Sequence, residues 1–190
     1  VVLASASPRR RELLSAAGFS LRVVPADIDE TPGQSEHPHA LVARLASHKV
    51  AVVAAAVDDP DAVVVAADTA VVLDDVALNK PVDEADARRM LRALSGRAHR
   101  VLTGWAVRRG GRVVEGVTST TVVFRTLSDA DITRWLDAGA YADKAGAYAI
   151  QGDAVVFVAH VDGSLTNVIG LPVEVVAAAI ATLLADGVSP

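Results

Sequence analysis

Apolar residues recur along this chain in two rhythms. Short runs bounded by Gly, Pro or charge read as buried strands, and apolar positions three and four apart read as helices. Val1 to Ala4 is a run of the first kind. A helix follows from Pro8 to about Ala17, with Ser7 as N-cap, Pro8 at the first helical position and Gly18 closing it. Leu21 to Pro25 predicts a second short strand, and the polar, Pro- and Gly-punctuated stretch 26–40 a loop. The Ala-rich pattern from about His39 to Val57 is helical. Asp61 to Asp75 reads as a buried strand interrupted at Asp68-Thr69. A loop at Leu78 then leads into a helix with Asp83 as N-cap and Gly96 as stop. His99 to Val107 and Arg112 to Arg125 form a hairpin pattern around Gly110-Gly111. Ser128-x-x-Asp131 opens a helix that ends before Gly139, a strand is expected at Ala154 to His160, and Pro172 opens a last helix to about Ala185. Helices alternate with strands, so the fold class is α/β, without repeats or long linkers.

Composition narrows the picture. A chain of 190 residues is expected to form a single domain over 1–190, and at 52 % hydrophobic but only 4 % aromatic its core is built from Ala and Val. The formal net charge of −5 argues against polymeric nucleic acid as a partner. The absence of cysteine excludes disulfides, thiolate catalysis and Cys-ligated zinc. No secretory pattern opens the chain, and its longest apolar stretch, Val50 to Val57, is far too short for a bilayer, so no membrane partner and a cytoplasmic location are expected.

Four places carry candidate chemistry. In "ASASPRRREL" the first turn of a helix holds Arg9, Arg10 and Arg11, where the positive end of the helix dipole favours carboxylates instead. Ser5, Ser7, free helix N–H groups and the guanidinium cluster would together attract a phosphate, while no Gly-x-x-x-x-Gly-Lys loop occurs. Arg11 reads as a solvated face residue. Asp68 follows a run of buried apolar residues, a costly position unless it is paired, holds a divalent cation, activates water, or caps a turn through Thr69. The acidic "IDE" stretch, Asp29 and Glu30, could complete a metal site with Asp68. All basic residues are arginine except Lys49, Lys80 and Lys144, so lysine survives where a compact ammonium has a use; Lys49 and Lys80 are candidates to meet phosphate oxygens. The five histidines show no metal-binding spacing and read as structural. Residue chemistry alone leads to a hydrolase of a small phosphate ester or anhydride.

The segments "LASASPRRRELL", "DIDET", "RLASHKV", "AADTAVV", "NKPVDEADARRMLRALSGRAHRVLTG", "DKAGAYAIQG" and "GSLTNVIGLP" occur in the order of the Maf family of nucleotide pyrophosphatases, which the chain resembles from Leu3 to Pro172 and beyond. The resemblance implies an inosine-triphosphate-pyrophosphatase-like fold, an elongated mixed sheet with two lobes around a deep cleft. It implies hydrolysis of a nucleoside triphosphate to monophosphate and pyrophosphate with Mg²⁺ or Mn²⁺. By motif position Asp68 matches the general base, Ser7, Arg9 and Arg10 the phosphate turn, and Glu30 a further polar group of the site; Glu30 and Asp68 are the expected metal carboxylates. Lys49 and Lys80 match further polar groups of the site. Arg9, Thr69 and Gln151 match the positions that mark the dTTP/UTP branch, against a 7-methyl-GTP branch. The carboxamide of Gln151 has the donor and acceptor a pyrimidine edge requires. The resemblance also implies a homodimer, and leaves open a nucleotide-binding regulator of septum formation as the alternative to an enzyme. Leu165 stands where the family often has an aromatic that would bear on base stacking, Asn79 where Gly is common, and Ala142-Asp143 precede Lys144 unusually.

Overall fold

A computed structural model describes residues 1–139, 141–150 and 156–185. Its frame is a mixed seven-stranded sheet in the order β2-β1-β3-β5-β6-β7, with β4 paired to β3. The strands are β1 (Val2–Leu3), β2 (Arg22–Val23), β3 (Val63–Leu73), β4 (Val76–Leu78), β5 (Ala98–Arg109), β6 (Arg112–Phe124) and β7 (Val158–Asp162). β1 runs parallel to β2 and β3, and the other pairings are antiparallel. The helices are α1 (Pro8–Ala16), α2 (Pro38–Val57), α3 (Glu84–Leu94), α4 (Asp129–Asp137), α5 (Leu165–Ile169) and α6 (Val173–Ala185).

β3 organises everything else, because side chains alternate between its faces. Val64 and Ala66 pack with Ala46, Val50 and Val53 of α2, and further along the same face Ala70 and Val72 meet Val42. On the opposite face, Val63, Val65 and Ala67 join Leu14 of α1 and Val176 and Ile180 of α6. Val71 and Leu73 on that face join a separate cluster with Met90, Leu91, Phe124, Ile132 and Trp135. Two cores therefore share one strand and leave its centre, Asp68 and Thr69, between them. β1 covers the β3 edge only at Val64 and Val65, and β4 only from Val71 onward. The intervening stretch of edge is the floor of a cleft.

Several sequence expectations change here. β3 is not interrupted: Asp68 pairs in register with Gly104 and Thr69 with Thr103. The strand tolerates both polar side chains because each finds a partner in the folded chain, as set out below. β4 is an element the sequence pattern does not predict, lying between a strand expected to end at Asp75 and a loop expected from Leu78. It arises from a tight turn in which Asp74 (φ 51°) and Asp75 (φ 62°) both adopt left-handed backbone, the geometry of a two-residue hairpin. The strand expected at Ala154 to His160 begins at Val158, Phe157 being drawn into the aromatic core, and 154–155 lie outside the described residues. α2 is long and apolar enough to cross a membrane by length and composition, yet its Leu41, Leu45, Val50 and Val53 are buried in the protein core. It is the central helix of an α/β layer.

Candidate active site

The cleft has a volume of about 700 Å³ and is lined from both cores by Ser5 to Arg10, Glu30, Lys49, Asp68 to Val71, Lys80, Asp143 to Ala145 and Gly170, among others. α2 sets its depth. It presses so closely on the sheet that a Cβ at Gly104 would overlap the Val42 carbonyl and lie 2.7 Å from the Ala43 nitrogen. Gly104 is the cross-strand neighbour of Asp68. Two turns beyond Val42, the same helix face brings Lys49 to Asp68.

Lys49 is the hub. Its Nζ lies 2.7 Å from Asp68 Oδ1 and 2.7 Å from Glu30 Oε1. The ammonium is buried with 8 % of its side chain exposed, Asp68 is largely buried, and Glu30 is 57 % exposed at the cleft mouth. A buried cation of this kind is held by its paired carboxylates. The loop that carries Glu30 is fastened to α2 by Arg44, whose guanidinium donates to both oxygens of Glu36 (2.7 and 2.8 Å) and to the Thr31 carbonyl (3.2 Å). Those bonds, with one from the Gly33 N–H, push the Glu36 carboxyl down to about 2. Asp29 accepts from the Thr31 N–H at 2.9 Å and shapes this loop, so Glu30 alone of the "IDE" acids reaches Lys49.

Arg10 has a different kind of environment from the one its position in a phosphate turn implies. Its Nε donates to the Gly170 carbonyl (2.9 Å), Nη1 to Ser5 Oγ (3.1 Å) and Nη2 to Thr69 Oγ1 (3.0 Å). Thr69 Oγ1 continues the network to Thr103 Oγ1 (3.0 Å). Burial lowers the Arg10 pKa and the Asp68 charge opposes that shift; an arginine so placed stays charged. The guanidinium thus clasps α1, β3 and the end of α5 together, with protons to spare for a ligand. Arg10→Lys is expected to lose the fork and with it about 2 kcal/mol of stability in a denaturant titration, and to raise the Michaelis constant, while Arg11→Ala, on the exposed side of α1, leaves both unchanged.

Around this centre, Ser7 caps α1 by accepting from the Arg10 N–H at 3.4 Å. Arg9 reaches across the cleft to Asp143 Oδ2 at 3.5 Å, and Asp143 Oδ1 accepts from Lys144 at 2.6 Å. Lys80 is exposed on the rim after β4, with no ion pair among the described residues. Gln151 lies outside the described residues; Tyr148, Ala149 and Ile150, just before it, line the cleft. Leu165, the missing aromatic, is 53 % exposed at the start of α5, whereas Val168, Ile169 and Gly170 of that segment face the cleft.

Sequence reasoning left Gly104, Lys144 and Gly170 outside its site. A glycine inside a strand does signal close backbone approach, so Gly104 was findable. Nothing local marked Gly170, whose part is a backbone carbonyl. As for a metal, Glu30 Oε1 and Asp68 Oδ1 both face the Lys49 ammonium, and the remaining oxygens of these two carboxylates are the hard donors that suit Mg²⁺ or Mn²⁺ shared with phosphate. Among the described residues no three His, Cys, Asp or Glu form a self-sufficient cage.

Fold and site together define a class: an α/β protein in which a strand carboxylate, Asp68, and a loop carboxylate, Glu30, meet within a ring of cations, in a cleft of small-ligand size. The chain belongs to the Maf family, since the model for Maf-like proteins matches residues 1–183. It is 51 % identical over 182 residues, 94 % of this chain and 91 % of the relative, to a protein of Anaeromyxobacter dehalogenans (strain 2CP-C) named dTTP/UTP pyrophosphatase. A Chromobacterium violaceum protein of the same name is 48 % identical over 177 residues, 92 % of this chain and 89 % of the relative. A solved Mycobacterium abscessus nucleoside-triphosphatase (dITP/XTP pyrophosphatase) covers 66 % of this chain and 74 % of its own at 15 % identity and a TM-score of 0.41, and the assignment does not rest on it.

Proposed function

We propose that this protein hydrolyses nucleoside triphosphates, dTTP and UTP foremost, to the monophosphate and pyrophosphate. The observation that carries the reading is the Glu30–Lys49–Asp68 cluster at the floor of a cation-ringed cleft. The two relatives above, named dTTP/UTP pyrophosphatase at about half identity, support the choice of nucleotide.

The roles follow from placement. Asp68 is fixed on β3 by its pairing with Gly104 of β5, with Oδ1 engaged by Lys49. Its other oxygen accepts the proton of the attacking water as the water–phosphorus bond forms and the α–β anhydride bond breaks. Lys49 holds the two carboxylates together. Arg9 and Lys80 approach from opposite rims and balance the charge of the triphosphate and of the departing pyrophosphate. The Ser7 hydroxyl and the Arg9 N–H at the start of α1 donate to a phosphate oxygen, with Arg10 holding that turn in place. Glu30 and Asp68 would hold Mg²⁺ or Mn²⁺, which when bound polarises the phosphate oxygens. Thr69 and the Tyr148–Ile150 segment lie towards the nucleoside, and Gln151 reads the pyrimidine edge.

Turnover in ¹⁸O-labelled water tests this directly. With dTTP, Mg²⁺ and the full chain, the label is expected in dTMP and none in pyrophosphate. Release of single phosphate, or label in the pyrophosphate, would exclude attack at the α-phosphorus.

A further inference from the structure

The segment 145–150 enters the cleft through an unfavourable bend. Gly146 (φ 67°) and Ala147 (φ 64°) are both left-handed, and Ala147 carries a Cβ that disfavours this region. Such backbone persists where its surroundings over-determine it. Three bonds do so here. The Gly146 N–H donates to the Asn79 carbonyl at 3.2 Å. Trp135 Nε1 donates to the Ala147 carbonyl at 2.8 Å inside the core. Tyr148 Oη and His99 Nε2 are 2.7 Å apart, with His99 only 3 % exposed.

His99 is a costly residue for its place. Burial pushes it down to about 4 against an opposing pull from the Arg97 backbone, so it is neutral, and its Nδ1 has no well-formed hydrogen bond among the described residues. It packs edge-on against Phe124 at 4.9 Å, where an apolar side chain would avoid the unpaired nitrogen. What the imidazole adds is the bond to Tyr148. Beyond that bond the chain is extended (Tyr148 φ −139°, ψ 165°) and runs along the apolar part of the cleft with Val71, Leu78, Val101 and Val168. The cations Arg9, Lys49 and Lys80 belong to other elements.

We propose that His99 and Trp135 are positioning residues for substrate selection: they clamp the Gly146–Ala147 bend so that Tyr148 to Ile150 form the wall against which the nucleoside packs. The inference rests on the nucleotide reading above and assigns its nucleoside side to a buried clamp remote from the reacting atoms.

The test separates the two ends of the substrate. Product inhibition by dTMP and by inorganic pyrophosphate is measured against dTTP turnover for Tyr148→Phe, His99→Leu, His99→Gln and Trp135→Phe. Tyr148→Phe, His99→Leu and Trp135→Phe each remove one clamp bond and are expected to weaken dTMP about fivefold, the weight of one buried hydrogen bond, with pyrophosphate within about twofold. His99→Gln retains a group able to bond the Tyr148 hydroxyl and is expected to recover most of the loss. If both inhibitors weaken together, or neither does, the clamp has no selective role and the proposal falls. Absence of dTTP turnover in the wild type would overturn the underlying reading, and the clamp with it; intact turnover with unselective shifts overturns the clamp alone.

Discussion

Asp68→Asn is expected to lower kcat for dTTP about a thousandfold, the scale of a lost general base, while a non-hydrolysable triphosphate still binds within about threefold of wild type. The separation follows from the geometry. The carboxamide has nearly the same shape, and its oxygen can still accept from Lys49 at the 2.7 Å position. Strand pairing with Gly104 is a backbone matter and survives. What disappears is an oxygen basic enough to take a proton from water. Pyrophosphate release and calorimetric binding are the two measurements. Full turnover in the variant would remove Asp68 from the role of base, and loss of binding equal to the loss of rate would make it a ligand contact instead.

Gly104→Ala carries the second large effect. The added Cβ would meet the backbone of Val42 and Ala43, which cannot rotate aside as a side chain can. α2 must lift from the sheet, costing about 3 kcal/mol, in the upper range for an overfilled core. For a chain of this size that corresponds to about 9 °C in thermal midpoint. Gly111→Ala, whose Cβ would meet nothing within 4 Å, is the control and leaves the midpoint within about 1 °C. The same shift moves Lys49 relative to Asp68, so kcat well below the melting range is expected to fall even in the folded fraction. An unchanged midpoint would show that α2 does not press on the sheet as described.

The elements were largely legible because their signals are local. Ser7, Asp83 and Ser128 each cap the helix expected of them, through bonds to the backbone three residues on. The Gly110-Gly111 turn joins β5 to β6 as read. The Asp74-Asp75 turn was missed because two aspartates carry a weaker turn signal than Asn-Gly or Gly-Gly, and β4 was missed with it. Those three residues of β4 decide where the edge of β3 is covered again and where Lys80 emerges.

The candidate site divides in the same way. Its residue types could be chosen from the chain itself: a carboxylate in an apolar run, surviving lysines in an arginine-rich protein, and arginines at the positive end of a helix. Their partnerships could not. Lys49 and Asp68 are 19 residues apart, and Arg10 and Gly170 are 160 apart. Sequence assigned Lys49 and Arg10 alike to phosphate; the structure seats Lys49 between two carboxylates and ties Arg10 to a carbonyl and two hydroxyls. Periodicity, capping and turn chemistry act over a few residues, so the order of amino acids by itself determined most of the elements, the α/β class and the kinds of charge available. Which charges neutralise one another depends on how β3 is left open between two cores and how closely α2 approaches Gly104, and only tertiary packing decides those distances.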